Sequence, residues 1–296
     1  MSTNQIVAVI GATGMQGSGV VEALAARGKF RVRALTRDPG KYRGPAHEVV
    51  AANLGQPESL VEAFRGAHAV FSVTNFWDQG TDEVAQGTNA VEAAKKAGVE
   101  HFVWSTLPDV DGISGGAIHV PHFTSKAKVD AVVAAAGFRH STFVEPPFYF
   151  QNLVSGLAPQ TLEGGRKGWV LPLPATARCV HMGDISELGN LVAGVLERPE
   201  ASHGRHLSLA GGIYSFDDVI GALRALGHEY VYEQVPYEMF ATFFPGAEEM
   251  AATFRWFERY TYFGPDAGTK LAGARELTVA PFTPFAAWAA ANMQGG

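Results

Sequence analysis

The sequence predicts an α/β fold of the Rossmann type, a doubly wound parallel sheet, with a smaller α/β C-terminal domain built from separated segments. Three observations indicate this fold. Short β-branched runs alternate with Ala-rich amphipathic stretches through the first half of the chain. A glycine-rich turn follows the first of these runs. Beyond residue 152 the chain becomes irregular and later rich in aromatic residues.

Six runs in the first half are strand candidates, in the order IVAVIG, FRVRALTR, HEVVAAN, HAVFSVTN, HFVWSTL and HSTFVEP. The helix candidates between them include GSGVVEALAARG, PESLVEAFRG and GTNAVEAAKKAG. Two of these end at Gly28 and Gly98, and glycine is a common C-terminal stop for a helix. Regular alternation of strand and helix favours βαβ units, and therefore a parallel sheet with helices on both faces.

The second half divides into segments of different character. Residues 153–178 are Gly/Pro-rich and irregular, and residues 237–262 are aromatic and helical. Between them, RCVHMGDISELGNLVAGVL and RHLSLAG read as strand–helix and strand, and we expect both to return to the main sheet. The expected domains are therefore a Rossmann domain of residues 1–152, rejoined by 178–210, and a smaller domain of 153–177 and 211–296.

Composition limits the classes of function. The 296 residues are 47% hydrophobic, enough for a sizeable core, and carry a formal charge of −6. That charge does not favour direct nucleic-acid binding, which needs clustered Lys and Arg. One cysteine, Cys179, excludes an internal disulfide and reads as a buried apolar residue. Without a leader or a membrane-length apolar run, we expect a cytoplasmic protein; the oligomeric state stays open.

The run VIGATGMQGSGV places Gly11, Gly14 and Gly17 at G-x-x-G-x-x-G spacing, directly after a strand and at the start of a helix. Glycine is needed where the backbone turns tightly or approaches a pyrophosphate, and the helix start offers free N–H groups to phosphates. A tight turn alone could explain one such motif. Its place at the first strand–helix junction of a βαβ pattern favours a dinucleotide site.

The end of the second strand bears on the choice of cofactor. It reads RALTRDPGK, so Arg37 can grip the 2′-phosphate of NADP, with Lys41 adding positive charge. The alternative is a solvated Arg37 with Asp38 as the acidic partner of an NAD ribose. Residues after the third and fourth strands are expected to meet the adenine, diphosphate and ribose; these are Asn53 and Leu54, then Thr74, Asn75 and Phe76.

The motifs GATGMQG, TRDP, TNFW, WSTL, PHFTSK, PPFYFQN and FPGAEEMAATFRWF resemble the NmrA-like family, an atypical branch of the short-chain dehydrogenases. The resemblance implies a Rossmann fold, NADP(H) as cofactor and, in the best-known members, regulation without demonstrated turnover. It departs at Asn53, where aspartate is common, and at Gln151, where glutamate is. The cofactor contacts it implies are Gly11, Ala12, Thr13, Gly14, Met15, Gln16, Arg37, Thr74, Asn75, Lys126, Pro147, Phe148, Tyr149 and Phe150.

The stretch PHFTSKAKVD bears on catalysis. Its His122 and Lys126 share one helical face, and Ser105 ends the fifth strand, where short-chain dehydrogenases keep Ser or Thr. Active reductases of this superfamily have tyrosine where His122 stands, and the lysine lowers the pKa of that tyrosine. We expect the charge of Lys126 to keep His122 neutral, and a neutral imidazole is a poor acid. We therefore favour a partly buried, hydrogen-bonded histidine over a catalytic one.

Other polar and aromatic residues are less informative. His119 and His122 have the spacing of metal ligands, but the sequence predicts an irregular loop at Asp109 and Asp111, and these complete no ligand set. No metal is therefore expected. The aromatic residues of the second half more readily pack a domain junction than stack on a ligand; these are Phe148, Tyr149, Trp256, Phe257 and Tyr260. Tyr149 is the one candidate among them for a substrate contact.

Three functions compete at this point. The preferred hypothesis is an NADP(H)-binding sensor of cofactor state that signals to a protein partner. The alternative is an NADPH-dependent reductase of a small carbonyl, quinone or unsaturated substrate that uses Lys126, a role the isoflavone-reductase branch suggests. An open cleft beside Tyr149 and Phe148 favours the reductase, and a cleft filled by side chains favours the sensor. A module that binds no nucleotide is disfavoured by Arg37 and the glycine motif.

Overall fold

The computed structural model describes residues 5–78 and 80–293. The first half of the chain alternates strands and helices. Its strands are β1 (Ile6–Ile10), β2 (Arg31–Thr36), β3 (Glu48–Ala51), β4 (Ala67–Ser72), β5 (His101–Ser105) and β6 (His140–Glu145). Its helices are α1 (Met15–Arg27), α2 (Pro57–Phe64), α3 (Glu83–Lys96), α4 (Val110–Ser114) and α5 (Pro121–Ala135). All six strand candidates and all three quoted helices are confirmed.

The second half has shorter strands and more helices. The strands are β7 (Phe148–Tyr149), β8 (Gln160–Thr161), β9 (Lys167–Leu171), β10 (Val180–Gly183), β11 (His206–Ser208), β12 (Gly212–Tyr214) and β13 (Tyr230–Gln234). The helices are α6 (Leu188–Glu197), α7 (Pro199–Ser202), α8 (Phe216–Ala225), α9 (Tyr237–Phe240), α10 (Ala247–Tyr260), α11 (Ala267–Leu277) and α12 (Phe285–Asn292). The aromatic segment 237–262 is helical, as expected from its sequence.

Seven parallel strands form the main sheet, in the order β11-β6-β5-β4-β1-β2-β3. The chain runs outward from β1 to β3 on one side and, through β4, outward on the other, so the predicted doubly wound fold is confirmed. The order reverses between β1 and β4. In such sheets the loops at the carboxyl ends of the two central strands diverge and leave a crevice for a ligand.

The sheet separates two hydrophobic clusters. In β1, Val7 and Val9 pack in one cluster and Ala8 and Ile10 in the other, as the two-residue period of a strand requires. The first cluster includes side chains of α1 and α6, and the second includes side chains of α2, α3 and α5. Because both faces are covered, β1 is apolar throughout.

Helix α6 packs closely against α1 at two glycines. A β-carbon added at Gly189 would overlap the backbone carbonyl of Gly19, and one added at Gly19 would meet Ser186. This contact brings the segment after residue 178 back to the main sheet, where β11 pairs with β6. The expectation is wrong for β10, which pairs with β7 and β12 in a separate three-stranded sheet. Strand β7 already lies outside the main sheet, and β10 lies outside it too because it pairs with β7.

The remaining strands, β8, β9 and β13, form a second three-stranded sheet. A third hydrophobic cluster joins these small sheets to the C-terminal helices through residues such as Phe150, Trp169, Phe216, Phe254 and Trp288. The proposed domain boundaries at residues 152 and 177 stay a prediction. Within residues 5–78 and 80–293, no helix is long and apolar enough to cross a membrane.

Candidate functional site

A cleft of about 1450 Å³ opens at the carboxyl edge of the main sheet. Helix α5 contributes His122, Phe123 and Lys126 to its lining, and residues 146–149 contribute the start of β7. The strand-end wall comprises the lining residues of segments 10–17, 35–37, 52–54 and 73–78, which follow β1 to β4. The aromatic wall comprises the lining residues of segments 152–171 and 240–262.

The glycine loop lies in the strand-end wall. Gly11 has a φ of 68°, in the left-handed region that favours glycine. A β-carbon at Gly17 would overlap the Gly11 carbonyl, whereas one at Gly14 would lie 3.4 Å from that oxygen, an ordinary contact. Gly11 and Gly17 are therefore needed by the path of the loop itself. Gly14 lines the cleft, and the path of the loop does not require glycine at this position. A side chain added there would instead project toward a ligand in the cleft.

Helix α1 begins directly after this loop, with Gly14 as its N-cap. No side chain caps this end, and the first turn has no acidic residue. The first N–H groups of an α-helix have no partner within the helix, and the helix dipole adds partial positive charge at the same place. The end of the helix inside the cleft therefore fits an anionic group such as a pyrophosphate.

Arg37 lines the cleft at the end of β2, with its side chain 73% exposed. Its Nη1 donates a hydrogen bond to Asp78 Oδ2 at 2.8 Å. Lys41 does not line the cleft; its Nζ lies 3.1 Å from Asp38 Oδ2 instead. Arg37 is thus accessible to a ligand but already paired with a carboxylate that the sequence did not single out.

A buried ion pair holds Lys126. Its ammonium donates to Glu83 Oε1, to the Thr74 backbone oxygen at 2.9 Å and to Thr74 Oγ1 at 3.1 Å. Glu83 also accepts from Thr74 Oγ1 at 2.7 Å and from the Ser125 hydroxyl. Burial lowers the pKa of Lys126 and Glu83 opposes that shift. Sequence reasoning missed Glu83, because a glutamate in the first turn of a helix ordinarily reads as a favourable interaction with the helix dipole.

Ser105 is linked to the cleft by a hydrogen bond to Gln16. Its hydroxyl donates to Gln16 Oε1 at 2.6 Å, and Gln16 Nε2 donates to the Tyr149 hydroxyl oxygen at 2.8 Å. This arrangement fixes the amide of Gln16 and leaves the phenolic proton of Tyr149 free to be donated. Burial raises the pKa of Tyr149 to about 12, so the phenol stays protonated at neutral pH. Ser105 is fully buried and does not itself line the cleft.

His122 is paired with a carboxylate from the C-terminal region. Glu249 Oε1, on α10, lies 2.6 Å from His122 Nδ1 and also accepts from the backbone N–H of His122 at 3.1 Å. Burial raises the pKa of Glu249, but the hydrogen bonds from His122 outweigh this effect and hold that pKa below its ordinary value. Lys126 does not act on His122 as an uncompensated positive charge, because Glu83 neutralises it. The protonation of His122 expected from the sequence stays a prediction.

The other residues expected at the cofactor fall into two groups. Those that line the cleft are Gly11, Thr13, Gly14, Met15, Gln16, Gly17, Arg37, Asn53, Leu54, Thr74, Asn75, Phe76, Lys126, Pro147, Phe148 and Tyr149. Ala12 and Phe150 do not. Ala12 is buried in the core cluster that contains α1, since the residue after Gly11 turns back under the loop. Phe150 is fully buried against Phe285 and Trp288, because β7 directs it into the C-terminal core.

The expected loop around Asp109 and Asp111 is a short helix, α4, with Asp109 as N-cap accepting from Gly112 N at 3.0 Å. Asp111 pairs with His119 Nδ1 at 3.1 Å. In the described part of the chain, no group of three or more His, Cys, Asp or Glu is placed to hold a metal ion. Cys179 is buried, and burial raises its pKa to about 12.

The aromatic wall is a continuous set of rings. Phe257 is 6.5 Å from Phe148 and 5.8 Å from Phe254, and Phe254 is 5.9 Å from Phe240, measured between ring centroids. Phe243 and Phe244 adjoin Phe240. Trp256 and Tyr260 stack on each other at 4.7 Å away from the cleft lining. Of the aromatic residues assigned to packing, Trp256 and Tyr260 therefore do not line the cleft, whereas Phe148, Tyr149 and Phe257 do.

Comparisons with known proteins agree with this geometry. Residues 3–289 match the model of the NmrA-like family. A similar protein is the NmrA-like family domain-containing oxidoreductase FrzB of Cladobotryum sp, 30% identical over 78% of this chain and 76% of its own. An NmrA-like family domain-containing protein of Dictyostelium discoideum is 25% identical over 88% of this chain and 90% of its own.

Solved structures resemble the whole chain. The crystal structure of NmrA, a negative transcriptional regulator, in complex with NAD has a TM-score of 0.83 at 25% identity, covering 97% of this chain and 95% of its own. The NADPH-dependent quinone oxidoreductase QOR2 from Escherichia coli has a TM-score of 0.76 at 20% identity, covering 97% and 100%, and supports the fold alone. The family model spans nearly every strand and helix described above, and the chain therefore belongs to the NmrA-like family.

Proposed function

We propose that the protein binds NADP(H) along the strand-end wall and reduces a second molecule held against the aromatic wall. The fit of the glycine loop and the uncapped start of α1 to a pyrophosphate supports the first part. NmrA, at 25% identity, has been crystallised with NAD and, at the same identity with a TM-score of 0.81, with NADP. Arg37 favours NADP(H), since a guanidinium can bind a phosphate with two hydrogen bonds.

The observation that carries the reductase is the extent of the cleft. At about 1450 Å³ it exceeds the roughly 300–1,000 Å³ of ordinary small-molecule pockets. It continues past Tyr149 to α9 and α10, so a dinucleotide along the strand-end wall leaves room for a second ligand. An open cleft at Tyr149 and Phe148 is the condition under which the sequence favours a reductase over a sensor.

The chemistry proposed for the site assigns a role to each residue. Bound NADPH would supply the hydride. Lys126 would give one proton to the reduced oxygen, because burial lowers its pKa. Tyr149 would donate a hydrogen bond to the same oxygen, and Gln16 and Ser105 hold its hydroxyl in place. The buried Glu83 and Thr74 orient Lys126.

A sensor remains the second candidate, and one observation favours it. All three N–H donors of Lys126 are engaged within the protein, and His122 replaces the phenol of ordinary reductases. A sensor would bind NADP(H) and turn nothing over. In that case His122→Tyr would supply a phenol on the same helical face as Lys126 and give a gain of activity.

The two candidates are separated by measuring NADPH oxidation and NADP⁺ affinity on the same preparations. The reductase predicts turnover of neutral ketones or quinones by the wild type, and a loss of roughly 10²–10⁴-fold in rate in Lys126→Ala. Gly14→Val serves as the control without bound cofactor. Tight NADP⁺ binding with no turnover over the whole substrate panel supports the sensor and excludes the reductase. Absence of dinucleotide binding contradicts both.

A further inference from the structure

We propose that the substrate is an uncharged, apolar ring compound, bound by the aromatic wall and hydrogen-bonded through a neutral oxygen to Tyr149. This inference rests on the proposed function, since it names the second ligand of the same cleft. It is carried by the absence of free charge in the cleft and by the position of the exposed aromatic side chains.

The aromatic wall contains no charged residue. Among the described lining residues of segments 152–171 and 240–262, none is Asp, Glu, Lys, Arg or His. Their side-chain polar groups are neutral and few: Asn152, Gln160, Trp169, Thr253 and Tyr262. A carboxylate or phosphate transferred from water onto this wall would lose its hydration without gaining a counter-charge. The wall therefore disfavours substrates that must bury an anionic group against it.

The titratable groups elsewhere in the lining do not supply that charge. Arg37 is paired with Asp78, and Lys126 with Glu83. His122 is paired with Glu249, which does not itself line the cleft. When NADP(H) occupies the strand-end wall, Arg37 is further engaged by the 2′-phosphate. Among the described lining residues, each cation facing the cleft is thus compensated, and none is left free for an acidic substrate.

The ring-containing nature of the substrate follows from exposed aromatic residues. In the described part of the chain, three large aromatic side chains are substantially exposed: Trp77 at 60%, Phe243 at 43% and Phe244 at 47%. All three line this one cleft, Phe243 and Phe244 in the aromatic wall and Trp77 in the strand-end wall. Aromatic side chains exposed together mark a binding surface, because burying them releases apolar area from water. Rings stack on such side chains face to face or edge to face.

The polar contact is a hydrogen-bond donor. The Tyr149 hydroxyl accepts from Gln16 and keeps its own hydrogen available. It suits a carbonyl or quinone oxygen, which accepts hydrogen bonds without carrying charge. A hydroxylated or carbonyl-bearing polycycle therefore meets both the aromatic wall and Tyr149, whereas a plain hydrocarbon meets only the wall.

The test compares fluorenone with fluorenone carboxylate, the same ring system without and with one negative charge. Both are titrated by calorimetry against the protein saturated with NADP⁺, so that affinity is measured without turnover. Fluorenone is expected to bind at least about tenfold more tightly, because the carboxylate finds no counter-charge. Equal affinities, a preference for the carboxylate, or no binding of either compound to the NADP⁺ complex overturns the inference.

A charge introduced into the wall sharpens the test. Phe244→Arg places a cation beside the bound ring, so the carboxylate is expected to gain affinity and fluorenone to lose it. Leu226→Arg is the matched control, since Leu226 is 38% exposed and lies outside the cleft lining. Phe243→Arg serves as a second variant if Phe244→Arg unfolds at a lower temperature. An unchanged preference in both lining variants also contradicts the proposal.

The result separates this inference from the proposed function. Failure of NADP⁺ to bind the wild type contradicts the proposed function itself. Normal NADP⁺ affinity together with indifference to the charge of the ring compound leaves the dinucleotide site intact and removes only the assignment of substrate class.

Discussion

The two walls of the cleft are built in different ways. The strand-end wall comes from four turns that each follow a strand of one sheet, and it carries a paired Arg37 and Asp78 with an uncapped helix start. The aromatic wall is assembled from segments some seventy residues apart, and none of its described lining residues has a charged side chain. One wall thus suits a phosphate-bearing ligand, and the other suits an apolar one.

The two walls also differ in which part of the chain, backbone or side chains, would contact a ligand. The strand-end wall depends on backbone geometry, because its helix start and glycine turn bind through N–H groups. The aromatic wall depends on side chains alone, and these can change without disturbing the main sheet. Helix α5 lies between them, with Lys126 bonded to the turn after β4 and to α3, and His122 bonded to α10.

The largest expected effect is at Gly14. Gly14→Val adds a branched side chain where the pyrophosphate is proposed to lie, while the loop itself tolerates a β-carbon there. Dinucleotide affinity is expected to fall by more than about 100-fold, with the unfolding temperature little changed. Calorimetric titration with NADP⁺ and NAD⁺ measures the first, and calorimetric melting measures the second.

Two controls make that result specific. Gly221→Val lies in α8, where an added β-carbon meets nothing within 4 Å, and should leave both quantities unchanged. Gly17→Ala should lower the unfolding temperature, because its β-carbon overlaps the Gly11 backbone. Wild-type affinity in folded Gly14→Val places the dinucleotide elsewhere and removes the distinction between the walls.

The strand-end wall was the predictable part of the site. Strand periodicity and the spacing of Gly11, Gly14 and Gly17 are local in sequence, and the turns after β1, β2 and β4 are brought together by parallel pairing. The main sheet could be predicted for the same reason. The strand β10 could not be placed, because short strands of two to four residues carry little pattern.

The ion pairs could not be predicted. Glu83 and Lys126 are 43 residues apart, and Glu249 and His122 are 127 apart. The sequence around a glutamate in the first turn of a helix does not show whether its side chain faces water or a buried lysine. The aromatic wall raises the same difficulty, since Phe243 and Phe244 resemble core residues in sequence but are partly exposed at the cleft.

Arg37 gives the second-largest effect. Arg37→Glu replaces a charge-assisted contact with a repulsion, so NADP⁺ binding should weaken by about 2–4 kcal/mol while NAD⁺ binding is spared. Lys41→Glu makes the same charge change outside the cleft lining, and is expected to alter NADP⁺ affinity much less. Calorimetric titration of both cofactors with both variants tests it. Equal loss of affinity for NADP⁺ and NAD⁺ in Arg37→Glu means that Arg37 stabilises the strand-end wall and does not bind the 2′-phosphate.

A substitution at Asp130 tests whether residues of α5 outside the cleft affect NADP⁺ binding. Asp130 lies outside the lining, and burial raises its pKa to about 7, with Glu145 adding to the shift and Thr106, His206 and Lys270 opposing it. The folded state therefore holds this proton more tightly than the unfolded state does, and the free energy of unfolding falls as pH rises from about 4 to 7. Above that window the penalty is constant.

Asp130→Asn removes this penalty. We expect the variant to be more stable than the wild type by about 1–3 kcal/mol at pH 8, with the gain shrinking toward pH 4, since each unit of pKa shift corresponds to about 1.4 kcal/mol. Denaturant unfolding at the two pH values measures it. NADP⁺ affinity should not change. A loss of affinity would show that the chemistry of the cleft extends across the helix to its other face.

The smallest effect concerns Asp78, which belongs to the strand-end wall and competes there with the ligand. Arg37 is 73% exposed and Asp78 44%, so their pair contributes little, roughly 0.2–1 kcal/mol. Asp78→Asn frees Arg37 and removes a negative charge near the proposed 2′-phosphate. NADP⁺ binding should therefore tighten by about two- to fivefold at low salt, with NAD⁺ binding unchanged, and the gain should shrink as salt screens it. Asp38→Asn, which frees Lys41 outside the lining, is the matched control and should have less effect. Weaker NADP⁺ binding in Asp78→Asn would give the opposite reading: Asp78 would then hold Arg37 in place for the phosphate, and the charged pair would be part of the binding surface of this wall.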